Sequence, residues 1–306
     1  LKRLNRVIVL FGPTGVGKTA LIDNLAGRKA EIVSADSLQV YRGLDIGTAK
    51  PTSKQLAEIP HHLIDICQPY EPFTVGMFVK KADIAVQTIL SSGHIPVISG
   101  GTAYYIKHYL TGLPTAPVSD SEIRRKIEQI YQQQGIEYCI KKLQRVDPVS
   151  AARINRNDTY RILRALEVYE ISGEPLSSFS MGGKIRDDID PVVIGLYRDK
   201  AELHRRIEER VDEMFRQGLS DEVKSLIRTG AESEWPGMKG IGYREFFQAA
   251  ASGEYSYRAI SNLIKRNSKA YAKRQMTFFR SLSNVLWLHP EEDKERINQL
   301  MLNQFS

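Results

Sequence analysis

Residues 7–11 (Val-Ile-Val-Leu-Phe) form an unbroken apolar run that stops at Gly12, the pattern of a strand buried on both faces of a parallel sheet. Leu21, Ile22 and Leu25 continue at helical spacing as far as Gly27, and residues 31–35 (Glu-Ile-Val-Ser-Ala) predict a second strand ending at Asp36. A strand-helix-strand order of this kind implies parallel pairing with a right-handed crossover. Residues 77–90 carry a helical stripe closed by Gly93, and residues 95–99 predict another short buried strand that runs into Gly100-Gly101. The alternation holds to about residue 113.

The pattern then changes. Pro114, Pro117 and Ser119 mark a connection, after which only helical patterns follow to about Gly183. Ile123, Ile127 and Ile130 make one stripe; Ile162, Leu163, Leu166 and Tyr169 make another that stops at Gly173 and Pro175. Strand character returns at residues 192–196, and Asp199 is placed to cap a long helix whose apolar stripe is Leu203, Ile207, Val211 and Met214. Further helices reach about residue 283, and residues 285–288 predict a last strand. The fold class is therefore α/β: a P-loop-type parallel sheet flanked by helices, built from residues 1–113 and 190–306, with an all-helical insertion domain at 114–189. No internal repeat is present.

Composition excludes some classes. With 42% hydrophobic residues in 306, the chain has material for a packed core and is not disordered. No apolar run approaches the ~18 residues of a membrane span. Lys2, Arg3 and Arg6 precede too short an apolar run for a signal peptide. Cys67 and Cys139 lie far apart and match no metal spacing, which suits a reducing compartment and predicts a soluble, cytoplasmic protein. The net charge of +7 matters because it is clustered. Arg258, Lys265, Arg266, Lys269, Lys273, Arg274 and Arg280 occur with no acidic residue between the first and the last. Arg266, Lys269, Lys273 and Arg280 share one helix face, with Tyr271, Phe278 and Phe279 on others. Such a face suits a phosphate backbone, although a solvated helix face is an equal alternative. Arg153, Arg156, Arg161 and Arg164 form a second basic surface around Asn157-Asp158, and two such surfaces favour an extended RNA over a small metabolite.

Candidate chemistry starts at the first strand-helix junction. Gly12, Pro13, Thr14, Gly15, Val16, Gly17, Lys18 and Thr19 fill every position of G-x-x-x-x-G-K-[ST], so the loop should cradle phosphate oxygens with its N–H groups. Lys18 supplies charge and Thr19 a ligand for Mg²⁺. The loop implies a di- or triphosphate and does not separate ATP from another diphosphate ester. Asp36, at the carboxyl end of the second strand, should face those phosphates, there to hold Mg²⁺ through water or to take a proton; the alternative is a cap for the next segment. Asp65 has a weaker claim. Arg206 and Arg210 lie one turn apart with Arg216 further on, set either to contact a diphosphate or to pair with Glu202, Glu208, Glu209 or Asp212. His61-His62 predicts a packed or capping pair rather than metal ligands. No Walker-B aspartate with an ATPase signature follows.

Taken in order, Gly12-Pro-Thr-Gly-Val-Gly-Lys-Thr19, Ser34-Ala-Asp-Ser-Leu-Gln-Val-Tyr41, Asp45-Ile-Gly-Thr-Ala-Lys-Pro51, His61-His-Leu-Ile-Asp65, Gly100-Gly-Thr102 with Tyr104, Asn157-Asp158 with Arg161 and Arg164-Ala-Leu-Glu-Val168, Lys239-Gly-Ile-Gly-Tyr-Arg244, and Ala272-Lys-Arg-Gln275 with Thr277 and Arg280 resemble the bacterial tRNA dimethylallyltransferases, or tRNA isopentenyltransferases, over almost the whole chain. The resemblance implies transfer of a dimethylallyl group from dimethylallyl diphosphate to N6 of adenosine 37 in the tRNA anticodon stem-loop, with Mg²⁺, by a monomer. It assigns Asp36 as base and places Lys18, Thr19, Thr102 and Arg210 in the catalytic site, with Arg216 a further diphosphate contact. The tRNA contacts it implies are Asp36, Ser37, Leu38, Gln39, Thr102, Arg124, Tyr160, Arg161, Ile162, Leu163, Arg164, Lys239, Gly240, Ile241, Gly242, Tyr243, Arg244, Lys273 and Arg274, the target base being flipped into a channel. Phe279 stands near where many relatives carry Trp. A P-loop kinase of a small metabolite and an RNA-binding NTPase are the competing readings; the first leaves the basic surfaces idle, and the second needs a water-positioning residue that the sequence does not show.

Overall fold

The structure, a computed structural model, describes residues 4–179, 184–253 and 255–302. Lys2 and Arg3 lie outside the described residues, as does the stretch around Gly183 where the helical pattern was expected to end. The elements run β1 (Asn5–Phe11), α1 (Lys18–Asp23), β2 (Ala30–Ser34), α2 (Ser53–Glu58), β3 (His61–His62), α3 (Val75–Ser91), β4 (Ile95–Gly100) and α4 (Ala103–Thr111). After these come α5 (Ser121–Val146), α6 (Pro148–Arg153), α7 (Thr159–Ser172), β5 (Ile189–Leu196), α8 (Lys200–Arg216) and α9 (Leu219–Arg228). The chain continues through α10 (Arg244–Ser252), α11 (Tyr257–Phe279), β6 (Leu286–Leu288) and α12 (Lys294–Leu302).

The strands form one parallel sheet in the order β3-β2-β4-β1-β5-β6. Its central strands are apolar because both faces are covered. On one face Val7, Val9 and Phe11 pack with Phe78, Ala82, Val86, Ile106 and Phe279. On the other, Ile8, Leu10 and Ile32 meet Leu21, Leu203, Ile207 and Ile297. β3 was not anticipated: it has two residues, both polar, and no apolar run marks it. The first helix ends earlier than its stripe suggested. It closes at Asp23, and Leu25 is carried on by tight turns while remaining buried. Asp199 stands at the start of α8 but makes no side-chain capping bond.

A third apolar cluster joins the segment after β2 to the C-terminal helices: Val40, Tyr41 and Leu44 pack with Val211, Met214, Val223, Met238, Tyr243, Phe246 and Ile264. It holds the walls of the site in place.

Residues Gly112–Lys184 form a separate compact unit, and Leu1–Thr111 with Ile185–Ser306 form the other, so the core resumes before the residue 190 read from the sequence. The inserted unit has its own core of Ile127, Cys139, Ile140, Leu143, Ile162, Leu163, Ala165 and Leu166. Asp120, Asp147 and Asp158 cap α5, α6 and α7 through their carboxylates. α5 is interrupted at Gly135, whose φ of 78° and ψ of 174° lie in a region that only glycine enters without strain.

Candidate functional site

The loop between β1 and α1 turns through Gly15 (φ 81°) and Gly17 (φ 109°), conformations that favour glycine. Two of its carbonyls are held by arginines. Arg206 Nε donates to Gly15 O at 2.9 Å, and Arg198 Nε donates to Val16 O at 2.8 Å. Arg198 is buried and is itself held by Glu202 and Glu291. The Val16 N–H turns back to Pro13 O at 3.3 Å and the Thr14 N–H donates to Gln275 Oε1 at 3.0 Å, within a glycine-rich turn of the kind that cradles anions. Lys18 Nζ donates to Gly12 O (2.9 Å) and Pro13 O (3.1 Å). Its pKa is pushed down to about 8, first by burial and then by the neighbouring Arg210, with Asp36 acting in the opposite direction. Thr19 lies exposed at the start of α1, facing the same cleft.

Asp36 follows β2 and faces that cleft. Its Oδ1 accepts from the N–H of Leu38 at 2.9 Å and more loosely from that of Gln39 at 3.4 Å, so it also caps the next turn. The capping alternative read from the sequence is thus present, in a side chain that also lines the cleft. Thr102 fixes the same turn: its Oγ1 accepts from Ser37 N at 2.9 Å, and its N–H donates to Ala35 O at 3.1 Å. Arg210 completes the group. It is enclosed by protein, which lowers its pKa, while the charge of Asp36 raises it. No carboxylate among the described residues lies within ion-pair distance of it, and its one hydrogen bond, to Thr48 O, is long at 3.4 Å. The salt-bridge alternative therefore does not hold for Arg210. Arg216 is exposed at the rim of the cleft and pairs with Glu213 at 2.9 Å, an acid outside the set expected from the sequence.

Lys18, Thr19, Asp36 and Arg210 line a cleft of about 1170 Å³ in the α/β unit. The Lys239–Arg244 segment forms part of the wall, with Lys239, Gly240, Ile241, Gly242 and Arg244 lining it. Tyr243 does not; it is fully buried, and its hydroxyl donates to Glu222 at 2.7 Å. Glu222 also accepts from the N–H groups of Asp45, Ile46 and Gly47. Lys50, nearly buried, bridges Asp45 (2.5 Å) and Asp65 (2.6 Å), and Asp65 is not among the residues that line the cleft. His61 is hydrogen-bonded to Ile59 O, and His62 to Glu31. Among the described residues no group of three or more His, Cys, Asp or Glu is placed to hold a metal ion.

The basic surfaces are less free than their composition suggested. Lys265 and Lys269 of α11 pair with Asp212 and Glu208 of α8. Arg266, Lys273 and Arg280 are exposed, and Arg274 lies against the Tyr271 ring and lines the cleft. Within the inserted unit Arg156 pairs with Glu137 and Arg161 with Asp158. Buried Glu167 gathers Arg164 (2.9 Å) and Arg124 (3.5 Å), and the Arg124 guanidinium sits 5.1 Å from the exposed Tyr160 ring. Ile162 and Leu163, expected among RNA contacts, are core side chains with nothing to offer a partner. Tyr243 is corrected for the same reason.

A family profile described as IPP transferase matches residues 39–282, and one described as Isopentenyl transferase matches residues 5–66. The tRNA dimethylallyltransferase of Borreliella burgdorferi (strain ATCC 35210) is 41% identical, with 97% of each chain covered. That of Alkaliphilus oremlandii is 40% identical over 98% of this chain and 97% of its own. The chain belongs to the IPP transferase family. Among solved structures, the full-length tRNA isopentenylpyrophosphate transferase of Bacillus halodurans is similar with a TM-score of 0.68 at 33% identity, 98% of both chains being covered. A eukaryotic dimethylallyltransferase acting on tRNA shares the fold, with a TM-score of 0.77 at 24% identity over 98% of this chain and 80% of that one.

In this member of the IPP transferase family, sequence reasoning missed Arg198 and left Gln275 without a role. Arg198 lies two residues past β5, the strand-end position where ligand-facing groups collect in α/β sheets, and that offset was the available signal. Gln275 falls on the apolar stripe of α11 with Ala272 and Phe279, where a carboxamide needs partners.

Proposed function

We propose that the chain transfers a dimethylallyl group from dimethylallyl diphosphate to N6 of an adenosine in the anticodon loop of tRNA, as a monomer in the cytoplasm. The observation that carries this reading is the enclosure of Lys18, Arg210 and Asp36 in one cleft, cations for a departing anion beside a carboxylate for a proton. Its volume exceeds the upper end of the roughly 300–1,000 Å³ usual for a single small ligand, which leaves room for a second reactant. The names of relatives about 40% identical over nearly the whole chain support the same activity.

In the step so described, the allylic C–O bond breaks and its electron pair leaves on the diphosphate, met by Lys18, Arg210 and the loop N–H groups. The N6 lone pair forms the new C–N bond, and the N6 proton passes to Asp36. Extrusion of the base is required because a stacked purine cannot reach the cleft. Mg²⁺ would be held by the Thr19 hydroxyl with Asp36 nearby, a hard-oxygen set that leaves the ion most of its waters, and when bound it would neutralise charge on the diphosphate. The flank of the cleft formed by Ser37, Leu38, Gln39, Lys239, Gly240, Ile241, Gly242 and Arg244, with Thr102 holding the Ser37 turn from behind, would receive the RNA. The exposed Lys273, with Arg274 at the cleft, would contact its backbone, as would Arg124, Tyr160, Arg161 and Arg164 of the inserted unit. The kinase and NTPase readings have no comparable support.

Incubation with undermodified tRNA and radiolabelled dimethylallyl diphosphate, with ATP as the control donor, tests this. Label should enter tRNA from the prenyl donor alone, and Asp36→Ala should keep tRNA binding while losing at least about 100-fold in turnover. Loss of the ATP γ-phosphate without prenylation overturns it.

A further inference from the structure

Gln275 is 3% exposed, and both ends of its carboxamide are used. Oε1 accepts from Thr14 N, in the phosphate loop, at 3.0 Å; Nε2 donates to Gly101 O, in the turn after β4, at 2.6 Å. A side chain at position 101 would collide with that amide, since a Cβ there would lie 2.7 Å from Nε2. One turn back on α11, Tyr271 lines the cleft, and burial beside Asp36 pushes its pKa up to about 12 while the neighbouring Thr102 and Gln275 side chains act in the opposite direction. Thr102 in turn holds Ser37, the neighbour of Asp36. The helix carrying these groups is itself anchored, for Phe279 stacks on Phe11 at the end of β1 with ring centroids 4.5 Å apart.

The loop that would hold the donor and the turn that carries the base belong to different strand ends, β1 and β2, with β4 between them. They are joined by an unbroken run of contacts: Thr14 to Gln275, Gln275 to Gly101, and Thr102 to Ser37. We propose that Gln275 is a positioning residue that sets the separation and angle between the phosphate loop and Asp36, with Tyr271 bracing it. This deepens the proposed prenyl transfer and rests on it. Each substrate keeps its own contacts when Gln275 is lost, so binding should survive, whereas alignment of the allylic carbon with N6 should not.

The test uses Gln275→Met, which keeps length and bulk without hydrogen bonds, together with Tyr271→Phe. In steady-state prenylation Gln275→Met should lose about 10- to 100-fold in kcat, with both KM values within about threefold of the parent. Tyr271→Phe should lose less, in the same parameter. Calorimetric titration with inorganic diphosphate, without tRNA, should give unchanged stoichiometry and affinity for both variants. An unchanged kcat overturns the proposal, as does a rise confined to the donor KM, which would make Gln275 part of the cradle only. A fall in kcat matched by an equal fall in binding stoichiometry makes it a residue of the fold and also overturns it. Absence of prenylation by the parent protein sinks the functional reading instead, and diphosphate titration still reports on the loop.

Discussion

Lys18 shows how far one side chain is determined by its surroundings. Burial and the charge of Arg210 disfavour the ammonium form, and Asp36 favours it, leaving a pKa of about 8. Lys18 is therefore mostly charged at neutral pH in the free protein and loses that charge as pH rises through about 8. The donor KM should climb above that pH, and Lys18→Met should flatten the profile while raising KM throughout; steady-state kinetics from pH 6.5 to 9.5 check this. A KM that falls in alkali would show the sign to be wrong. At this scale Lys18, Thr19 and Asp36 were legible because loop chemistry and strand ends constrain residue type. Arg198 and Gln275 were overlooked, because the backbone atoms they hold lie in remote segments: Val16 O, Thr14 N and Gly101 O.

Among the elements, α9 has the least obvious task. Its Glu222 accepts three consecutive N–H groups at 45–47 and the Tyr243 hydroxyl, tying the segment after β2 to the Lys239–Arg244 segment. Glu222→Ala strands these donors away from their acceptor and should cost about 3 kcal/mol or more, read as a lower midpoint in urea denaturation. Gln39 and Arg210 both reach the carbonyl of Thr48, so the loss should also lower activity in protein that remains folded. The buried strands β1, β2, β4 and β5 could be read from apolar runs, since both their faces are covered. β3 could not, because a two-residue edge strand of histidines carries no periodic signal. The packing of Tyr243 was equally hidden: the glycine-flanked motif looked like a loop offered to RNA, and only the folded chain shows Tyr243 filling the space beside Gly47.

For the whole molecule, charge was legible as a sum and misleading as a surface. The excess of +7 is real, yet acidic residues of α8 neutralise Lys265 and Lys269, whereas Lys273 is open to solvent and Arg274 flanks the cleft. Lys273→Ala with Arg274→Ala should weaken tRNA binding and make its dependence on log salt shallower by roughly 0.7–0.9 per lost contact. Lys265→Ala and Lys269→Ala should leave that slope within error. Filter binding across a salt series separates the two pairs. The division into two units followed from the break in strand-helix alternation near residue 113, and the inserted segment has a core of its own. Gly135 interrupts the longest helix of that segment, and a Cβ added there would meet nothing within 4 Å. An alanine at 135 would thus register main-chain torsion alone, uncontaminated by collision.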